Sequence, residues 1–340
     1  MRALITGGAG FIGSHFVRYM AKKHPESYFI NLDKLSYAGD ERRLNDIKGM
    51  PNYEFVKGDV LDLNFLTYLL MERKIDTIFH FAAESHVDNS IGDSLEFTKN
   101  NTLGTHTIIE AARINKIKKF VHISTDEVYG DIMEGSFKED SLLCPNNPYS
   151  ASKAAAEMIV MGYYKTYKMP IVMIRGNNVF GPHQFPEKII PRVITDVVLG
   201  RKFPLHGDGS NIRTYIYVEE FVKALEAVYE KGKIGEAYNI GTNDEISNIQ
   251  LVRKILSYMG KGDECIEFVP DRPFNDRRYS IDLTKLKNLG WTQEIGFDEG
   301  LKKTIDWYKS NPDWWLKFVS HLKTAEWFKS KDNWWAQISK

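Results

Sequence analysis

Short apolar runs alternate with longer amphipathic stretches along the first half of the chain. The apolar runs predict strands at Arg2–Thr6, Tyr28–Leu32, Tyr53–Lys57, Thr77–Phe81, Phe120–Ser124 and Ile171–Arg175. Between them, apolar positions recur at helical spacing around residues 14–23, 62–73, 95–115 and 150–168. Strands that alternate with crossover helices form parallel sheets, so the pattern predicts an α/β fold with a doubly wound, Rossmann-type sheet.

The alternation weakens beyond residue 180, where Gly181-Pro182, Pro186, Pro191 and Gly207-Asp208-Gly209 interrupt the pattern. We therefore predict a Rossmann domain over residues 1–180, to which segments near 214–242 return, and a smaller lobe over 181–310. Residues 311–340 form a Trp-rich extension, since six of the seven tryptophans lie between Trp307 and Trp335. A helix packed on its own domain is favoured there over a partner contact.

Composition narrows the classes of function. Lys and Arg number 45, as do Asp and Glu, so the net charge of zero argues against nucleic acid or a membrane surface as partner. Cys144 and Cys265 are too few for a disulfide framework and are predicted to be free thiols. Residues 1–13 lack the pattern of a signal peptide, and no apolar stretch reaches the roughly 18 to 20 residues of a membrane span. We therefore predict a cytoplasmic protein.

A glycine-rich segment, Gly7-Gly8-Ala9-Gly10-Phe11-Ile12-Gly13, follows the first predicted strand and precedes a helical pattern. This is the context of a dinucleotide site, in which glycines let the backbone approach a pyrophosphate at a helix N-terminus. Asp33 ends the second strand, where a carboxylate holds ribose hydroxyls and opposes a 2′-phosphate. The pattern favours NAD over NADP. Gly58-Asp59-Val60 suits the adenine edge, and Phe81-Ala82-Ala83 offers small residues beside the cofactor.

A Tyr-x-x-x-Lys pair supplies candidate redox chemistry. Five pairs match this spacing, but only Tyr149 and Lys153 follow a strand that ends in Ser124-Thr125 and open a helix after a Pro-containing loop. Their spacing places both on one helix face. The ammonium is expected to favour the phenolate of Tyr149, which can then take a proton from an alcohol.

Four motifs together resemble those of the extended short-chain dehydrogenases/reductases, and closely those of the nucleotide-sugar 4,6-dehydratases. They are Ala83-Glu84-Ser85-His86-Val87-Asp88, Ser124-Thr125-Asp126-Glu127-Val128-Tyr129-Gly130, Pro148-Tyr149-Ser150-Ala151-Ser152-Lys153 and Gly181-Pro182-His183-Gln184-Phe185-Pro186-Glu187-Lys188. The similarity runs from residue 1 to about residue 310. Related sugar 4-epimerases keep the Tyr and Lys but usually lack the Asp-Glu pair. The resemblance therefore implies an NAD-dependent hydro-lyase.

The resemblance also implies a role for each catalytic candidate. Tyr149, aided by Lys153, takes the proton of the sugar's 4-hydroxyl as hydride passes to NAD, and Thr125 aligns the same oxygen. Glu127 then removes the proton on carbon 5, while protonated Asp126 helps the 6-hydroxyl leave as water. Hydride returns to carbon 6, and NAD is regenerated. The adjacent carboxylates need opposite protonation and should titrate as a coupled pair.

The resemblance extends to the ligand contacts. The residues predicted to contact NAD are Gly7, Gly10, Phe11, Ile12, Gly13, Asp33, Lys34, Ser36, Gly39, Asp59, Val60, Phe81, Ala82, Ala83, Ser85, Asn100, Tyr149 and Lys153. Those predicted to contact the nucleotide sugar are Ser85, His86, Asp88, Thr125, Asn178, Lys188, Ile189, Leu205, His206, Arg213, Asn248, Arg272 and Asn275. Arg213 and Arg272, with Lys188 and Asn178, are the candidates for its diphosphate.

The nucleotide base of the substrate is predicted from three places where this chain differs from the bacterial dTDP-glucose enzymes. Bacterial dTDP-glucose enzymes typically have other residues at Asn89, within the segment Arg175-Gly176-Asn177-Asn178-Val179-Phe180, where Arg175 and Asn178 are shared, and at Phe274-Asn275. The forms in this chain resemble the dehydratase domain of plant-type UDP-rhamnose synthases. We therefore predict a UDP-glucose 4,6-dehydratase for UDP-rhamnose or another deoxysugar. dTDP-glucose is the alternative, because one methyl group is worth only about 1 to 3 kcal/mol in a pocket.

Other functions on the same scaffold stay open at this point. A 4-epimerase or a simple reductase needs Tyr149 and Lys153 but not the acidic pair, and a non-catalytic dinucleotide-binding regulator needs only the glycines. No metal site is predicted, because the nine histidines show no paired helical spacing with a carboxylate. The resemblance implies a homodimer that forms through the helices at 95–115 and 150–168.

Overall fold

The computed structural model describes residues 1–320 and 322. The strands are β1 Arg2–Thr6, β2 Tyr28–Asp33, β3 Tyr53–Lys57, β4 Thr77–His80, β5 Lys119–Thr125, β6 Ile171–Gly176, β7 Asn178–Phe180, β8 Phe203–His206, β9 Ile212–Tyr217, β10 Ala237–Ile240, β11 Glu245–Ser247 and β12 Ile266–Val269. The α-helices are α1 Phe11–Lys23, α2 Leu63–Glu72, α3 Val87–Gly92, α4 Ser94–Phe97, α5 Gly104–Ile114, α6 Pro148–Tyr167, α7 Ile189–Val198, α8 Val218–Lys231, α9 Asn248–Tyr258, α10 Thr284–Asn288, α11 Phe297–Ser310 and α12 Pro312–Val319.

Seven parallel strands form the central sheet, in the order β10-β6-β5-β4-β1-β2-β3. Neighbouring residues of one strand face opposite sides of a sheet. Ala3 and Ile5 accordingly pack in one apolar cluster with α1 and α8, whereas Leu4 packs in a second cluster with α2 and α5. This two-sided burial explains the nearly continuous apolar strands. The α/β Rossmann prediction is confirmed.

All six predicted strands are present; β1 and β3 have the predicted bounds, and the ends of the other four differ by at most one residue. The helix predicted over 95–115 changes form midway, because a π-helix over Thr98–Leu103 joins α4 to α5. Buried Asn101 explains the interruption: its side chain accepts a hydrogen bond from Glu84 N at 2.8 Å and donates one to Glu84 O at 2.9 Å. The distortion thus ties the helix to the loop after β4, as π-bulges near functional sites commonly do.

The remaining strands form two small sheets, β11-β9-β7 and β12-β8. Within the region expected to return to the Rossmann domain, α8 packs against α1 and β10 completes the central sheet, but β9 belongs to the three-stranded sheet. A third apolar cluster joins α7, α9, α11 and α12. The domain boundaries stay a prediction.

Helix α12 covers the described part of the Trp-rich extension. Trp315 is fully buried, and its indole nitrogen donates to Tyr308 O at 2.8 Å. Trp314 is buried beside it, so this part packs on the chain's own core. The predicted extension beyond this point, at residues 321 and 323–340, lies outside the described residues.

Burial of Trp315 gives a stability prediction. We expect Trp315→Ala to lower the free energy of unfolding by about 3 to 5 kcal/mol, because it removes a large apolar side chain from a packed core. The matched control is Leu316→Ala, since the neighbouring side chain is 42% exposed and should contribute within about 0.5 kcal/mol. Urea denaturation measures both. Equal effects of the two substitutions would contradict the packing of α12.

Two further features bear on the sequence predictions. Both cysteines are free, as predicted. Across residues 1–320 and 322, no helix has the length and apolar character needed to cross a membrane. The cytoplasmic location stays a prediction.

Candidate active site

A cavity of about 980 Å³ lies at the carboxyl ends of the parallel strands. Its walls combine strand ends of the central sheet, such as Gly7, Phe81 and Thr125, with residues of the small sheets, such as Leu205 and Arg213. Open α/β sheets bind ligands at this edge, where the strand order reverses. The cavity is large enough for a dinucleotide and a second ligand, because small-molecule sites usually span roughly 300 to 1,000 Å³.

The glycine-rich segment forms a close-fitting cradle at one end of this cavity. Gly7 has φ of 73°, and a Cβ atom there would lie 2.6 Å from the backbone nitrogen of Ala82. A Cβ at Gly13 would lie 2.3 Å from Gly7 O. Helix α1 begins directly after Gly10, which provides no side-chain cap. The first amides of α1 are therefore left for an anion, which fits the pyrophosphate of a dinucleotide.

Asp33 is held rigidly beside this cradle. Its Oδ2 accepts from Ala9 N at 3.0 Å and its Oδ1 from Leu35 N at 2.8 Å. Burial raises the pKa of this carboxyl, and the two backbone bonds oppose that shift. Lys34 Nζ donates to Asn100 Oδ1 at 2.5 Å, which connects the segment after β2 to the π-helix. Asp33 and Asp59, which are predicted to contact adenosine, both line the cavity.

Tyr149 and Lys153 occupy the start of α6. Asn147 caps this helix. Its Oδ1 accepts a hydrogen bond from Ser150 N at 2.9 Å, and its backbone nitrogen donates one to Ser150 Oγ at 3.2 Å. Lys153 Nζ donates to Ile123 O at 2.8 Å, which fixes it against β5. Both side chains line the cavity, and no member of the other four Tyr-x-x-x-Lys pairs does.

The pKa of Tyr149 differs from the sequence-based expectation. Burial raises it, the Glu127 and Asp126 carboxylates add to the rise, and Lys153 is not among the groups that shift it. Burial also lowers the pKa of Lys153 to about 8. In the protein alone burial dominates the pKa of Tyr149, and the Lys153 ammonium is bonded to the Ile123 carbonyl, so its effect on the phenolate stays a prediction.

The acidic pair lies in a single 3₁₀ turn, Asp126–Tyr129, that follows β5. Thr125 organises the turn, because its hydroxyl accepts from Glu127 N and lies within hydrogen-bonding distance of Asp126 Oδ1, at 3.3 Å in both cases. Glu127 lines the cavity. Asp126 does not: it is only 3% exposed, and its Oδ2 accepts from Asn177 at 2.7 Å. Although Asp126 and Glu127 are neighbours in sequence, only the Glu127 carboxylate lines the cavity, and the Asp126 carboxylate is buried against Asn177.

Burial raises the pKa of both acids. The pKa of Asp126 rises to about 7, with the charge of Glu127 as the second cause. For Glu127 the second cause of the rise in pKa is the nearby carboxylate of Asp276. Neutral pH thus lies where Asp126 exchanges its proton, which suits an acid–base role.

Glu127 is in contact with a buried hydrogen-bonded network formed by Asn147, Asp276 and Tyr279. The side-chain amide of Asn147 lies 3.4 Å from Glu127 Oε2 and 3.5 Å from Asp276 Oδ2. Tyr279 also donates to Asp276 Oδ2, and Asn146 donates to its Oδ1 at 2.9 Å. Sequence reasoning missed Asn147, Asp276 and Tyr279. Only Asp276 had a local signal, since it directly follows the predicted Asn275.

The cations predicted to bind a diphosphate also line this cavity. Arg272 Nε lies 2.7 Å from Asp88 Oδ1, and Lys188 Nζ donates to Ser85 O at 2.7 Å. Arg213 donates to Asp276 O at 2.8 Å, and its guanidinium lies 4.3 Å from the centre of the Tyr279 ring. These groups can attract a diphosphate from several directions.

With Asp126 as the one exception, all the residues predicted for catalysis, cofactor or substrate line this cavity. Their individual roles stay predictions. Sequence reasoning missed further lining residues, which include Tyr37, Arg43, Glu84, Asn89, Phe185, Glu187, Tyr215, Lys317 and Phe318. Glu187 lies within a motif already singled out, and Tyr37 bonds to its Oε1 at 3.0 Å. Lys317 and Phe318 gave no such signal, because only the fold brings α12 to the cavity.

Comparisons with known proteins agree with this geometry. The family described as "GDP-mannose 4,6 dehydratase" matches residues 4–304. A trifunctional UDP-glucose 4,6-dehydratase/UDP-4-keto-6-deoxy-D-glucose 3,5-epimerase/UDP-4-keto-L-rhamnose-reductase of Arabidopsis thaliana is 50% identical over 317 residues, which are 92% of this chain and 48% of that protein. The chain thus spans about half the length of this plant relative. The dTDP-D-glucose 4,6-dehydratase of Homo sapiens is 43% identical over 316 residues, 91% of this chain and 90% of that protein.

Solved structures extend the comparison. A crystal structure of dTDP-glucose 4,6-dehydratase from Streptomyces venezuelae with NAD bound has a TM-score of 0.91 and 41% identity, and the match covers 94% of this chain and 100% of that one. A UDP-glucose 4-epimerase from Thermotoga maritima has a TM-score of 0.85 and 29% identity, and covers 92% of this chain and 100% of that one.

Proposed function

The chain belongs to the GDP-mannose 4,6-dehydratase family of NAD-dependent nucleotide-sugar 4,6-dehydratases, and from this premise we propose that it converts UDP-glucose to UDP-4-keto-6-deoxyglucose and water. The observation that carries the proposal is the position of Glu127, which faces the same cavity as Tyr149, Lys153 and Thr125. A carboxylate at this point adds proton abstraction to an alcohol-oxidising site. The identity of 50% to a plant UDP-glucose enzyme, against 43% to the human dTDP-glucose enzyme, supports UDP-glucose.

The described residues fit NAD as the cofactor. The first amides of α1 and the cradle at Gly7 and Gly13 would receive the pyrophosphate, and the Asp33 carboxylate disfavours a 2′-phosphate. When bound, NAD supplies the redox chemistry that turns an alcohol into a ketone and later returns the reduction to the sugar. The protein's own groups hold the ligands and move the protons.

Tyr149 and Thr125 act on the 4-hydroxyl in this proposal. The raised pKa of Tyr149 keeps its proton in place in the free protein, so the phenol begins as a neutral hydrogen-bonding group. Lys153, with a pKa lowered to about 8, lies one helical turn away and has two further N–H groups besides the one given to Ile123 O. It can therefore stabilise negative charge on the phenol once substrate displaces water.

Glu127 and Asp126 perform the elimination. A ketone at carbon 4 acidifies the proton on carbon 5, and the raised pKa of Glu127 makes it a better base than an ordinary carboxylate. Asp126 does not reach the cavity itself, so the Thr125 hydroxyl, 3.3 Å from Asp126 Oδ1, provides the connection for its proton. In this proposal the proton of Asp126 reaches the leaving 6-hydroxyl through Thr125, and not by the direct contact that the sequence analysis implied.

The pH dependence of the reaction should reveal Asp126. We expect kcat/KM to fall above about pH 7, because the pKa of Asp126 is about 7 and only its protonated form can assist loss of water. Asp126→Asn should lower kcat/KM by about 100-fold and move the alkaline limb of the profile to higher pH. Initial rates across the pH range measure both. A limb that stays in place in this variant would contradict the assignment.

Mass spectrometry of the product tests the proposed substrate. UDP-glucose and dTDP-glucose are given to the same preparation without added NAD, and the expected product from UDP-glucose lacks one water. A strong preference for dTDP-glucose would assign the alternative substrate. A product of unchanged mass that behaves as a galactose nucleotide would instead indicate the 4-epimerase reaction.

We also propose a homodimer formed through the segment 94–114 and α6. Leu103, Ile114, Met158 and Tyr167 support it, because these large side chains on the two segments are between 45% and 55% exposed. We further propose that the chain divides into a Rossmann domain, a substrate lobe and a C-terminal extension. We also propose a cytoplasmic location and a role in the synthesis of UDP-rhamnose or another deoxysugar.

A further inference from the structure

Arg43 carries a guanidinium that is buried at the rim of the glycine-rich segment. The residue is 1% exposed. Its Nη1 donates to Ala9 O at 2.8 Å and to Ala38 O at 2.7 Å, and its Nε donates to His183 O at 3.1 Å. Three carbonyl groups therefore fix the plane of the guanidinium. Such a fixed group is prepared to bind a ligand with little loss of entropy.

The second terminal nitrogen of Arg43 has no partner. Nη2 is buried and forms no hydrogen bond with any described residue. Arg43 also takes part in no ion pair within the described chain, although Asp33 and Asp40 lie near enough to influence its charge. Burial lowers the pKa of this guanidinium to about 10. A buried cation with free donors is costly, so the arrangement calls for an anion.

The position of Arg43 indicates which anion. Arg43 is one of the cavity-lining residues, and its bond to Ala9 O places it against the segment that precedes α1. The predicted diphosphate cations Arg213 and Arg272 belong instead to the wall formed by the small sheets and their loops. The nearest diphosphate would therefore be the one at the N-terminus of α1.

Helix α12 closes the site around Arg43. The guanidinium lies 5.1 Å from the centre of the Trp314 ring, within the range of a cation–π contact. Lys317 Nζ lies 3.1 Å from Asp40 Oδ2, and Arg42 donates to Trp314 O at 3.1 Å. Helix α12 lies beyond the residues matched by the family, which end at 304. The Trp314 side chain that contacts Arg43 therefore lies outside residues 4–304, the part of the chain that matches the family.

We propose that Arg43 is a further diphosphate-binding residue, which donates its free Nη2 hydrogens to the pyrophosphate of the bound dinucleotide while α12 holds it in place. The inference rests on the proposed NAD site but is independent of the identity of the sugar nucleotide. It gives α12 a function, since its Trp314 ring lies 5.1 Å from the guanidinium.

Calorimetric titration of NAD-free protein with NAD and, separately, with UDP tests this proposal. Arg43→Gln should weaken NAD binding by about 10-fold to 100-fold, because it removes charge-assisted hydrogen bonds to a phosphate. UDP affinity should stay within about twofold of wild type. The control is Arg253→Gln, which makes the same charge change at an exposed ion pair with Asp263 and should alter neither affinity.

Arg43→Lys provides a second variant in case the glutamine variant does not fold. It keeps the charge but not the planar donors, so a loss of NAD affinity of roughly tenfold is expected. NAD affinity within twofold of wild type in a folded variant would overturn the proposal. So would a loss confined to UDP, which would place Arg43 at the substrate's diphosphate. NAD binding is measured without sugar, so a failed dehydration assay with normal NAD affinity would reject the proposed reaction alone.

Discussion

Glu127→Gln is expected to lower the turnover of UDP-glucose by about 100-fold to 10,000-fold while NAD stays bound. The variant keeps the size of the side chain and its bond to Asn147 but can no longer accept the proton from carbon 5. Turnover is followed by the mass of the product, and NAD content is measured in the denatured protein. In deuterated water the variant should also fail to exchange the hydrogen on carbon 5.

The matched control for this result is Glu134→Gln. It makes the same chemical change at an exposed loop position outside the cavity and should leave turnover intact. Full activity of Glu127→Gln would remove the basis for dehydration. The chain would then be assigned to another reaction of the same scaffold, with Tyr149 and Lys153 as its main groups.

Tyr149→Phe should cause a loss of similar size, about 100-fold to 10,000-fold, at an earlier step. The phenyl ring keeps the packing of the buried residue, whereas the missing oxygen can no longer take the proton of the 4-hydroxyl. The absorbance of reduced nicotinamide after mixing with substrate separates the variants. It should appear with Glu127→Gln, which oxidises carbon 4 but cannot proceed, and not with Tyr149→Phe.

Tyr68→Phe is the control on another helix. Tyr68 is 57% exposed on α2 and lies outside the cavity, so loss of its hydroxyl should not change the rate. A Tyr149→Phe variant that forms reduced nicotinamide at the wild-type rate would show that another group accepts the proton. Thr125 would be the first candidate, since its hydroxyl lies in the same wall of the cavity.

The fold was largely predictable because each buried strand is a short apolar run. β1 and β2 are recognisable without any partner, since both of their faces are covered and apolar residues of both faces follow one another within each strand. The change of helix form at Thr98–Leu103 was not predictable. It depends on the bonds between Asn101 and the backbone of Glu84, which only the packed fold brings together.

The residues of the candidate site were predictable where several of them lie together in one short motif, as they do at strand ends. The segments at Gly7 and Thr125 follow this rule, the motif at Tyr149 opens α6, and all three line the cavity. Arg43 and Lys317 were missed because they are single charged residues in unremarkable contexts, brought to the cavity by tertiary packing. The direction of the Tyr149 pKa was also missed, because it depends on the burial of the phenol and on its proximity to Glu127 and Asp126, neither of which sequence spacing gives.

The walls of the cavity come from both ends of the chain, from Gly7 to Phe318. A ligand that bridges these walls binds only when the Rossmann sheet and α12 are both in place. Ligand binding is therefore linked to folding, and a hundredfold excess of free ligand over its dissociation constant adds about 2.7 kcal/mol to the stability of the native state. If Arg43 binds the dinucleotide as proposed, the cofactor would connect distant parts of the sequence, and the protein without it would be more open to proteases.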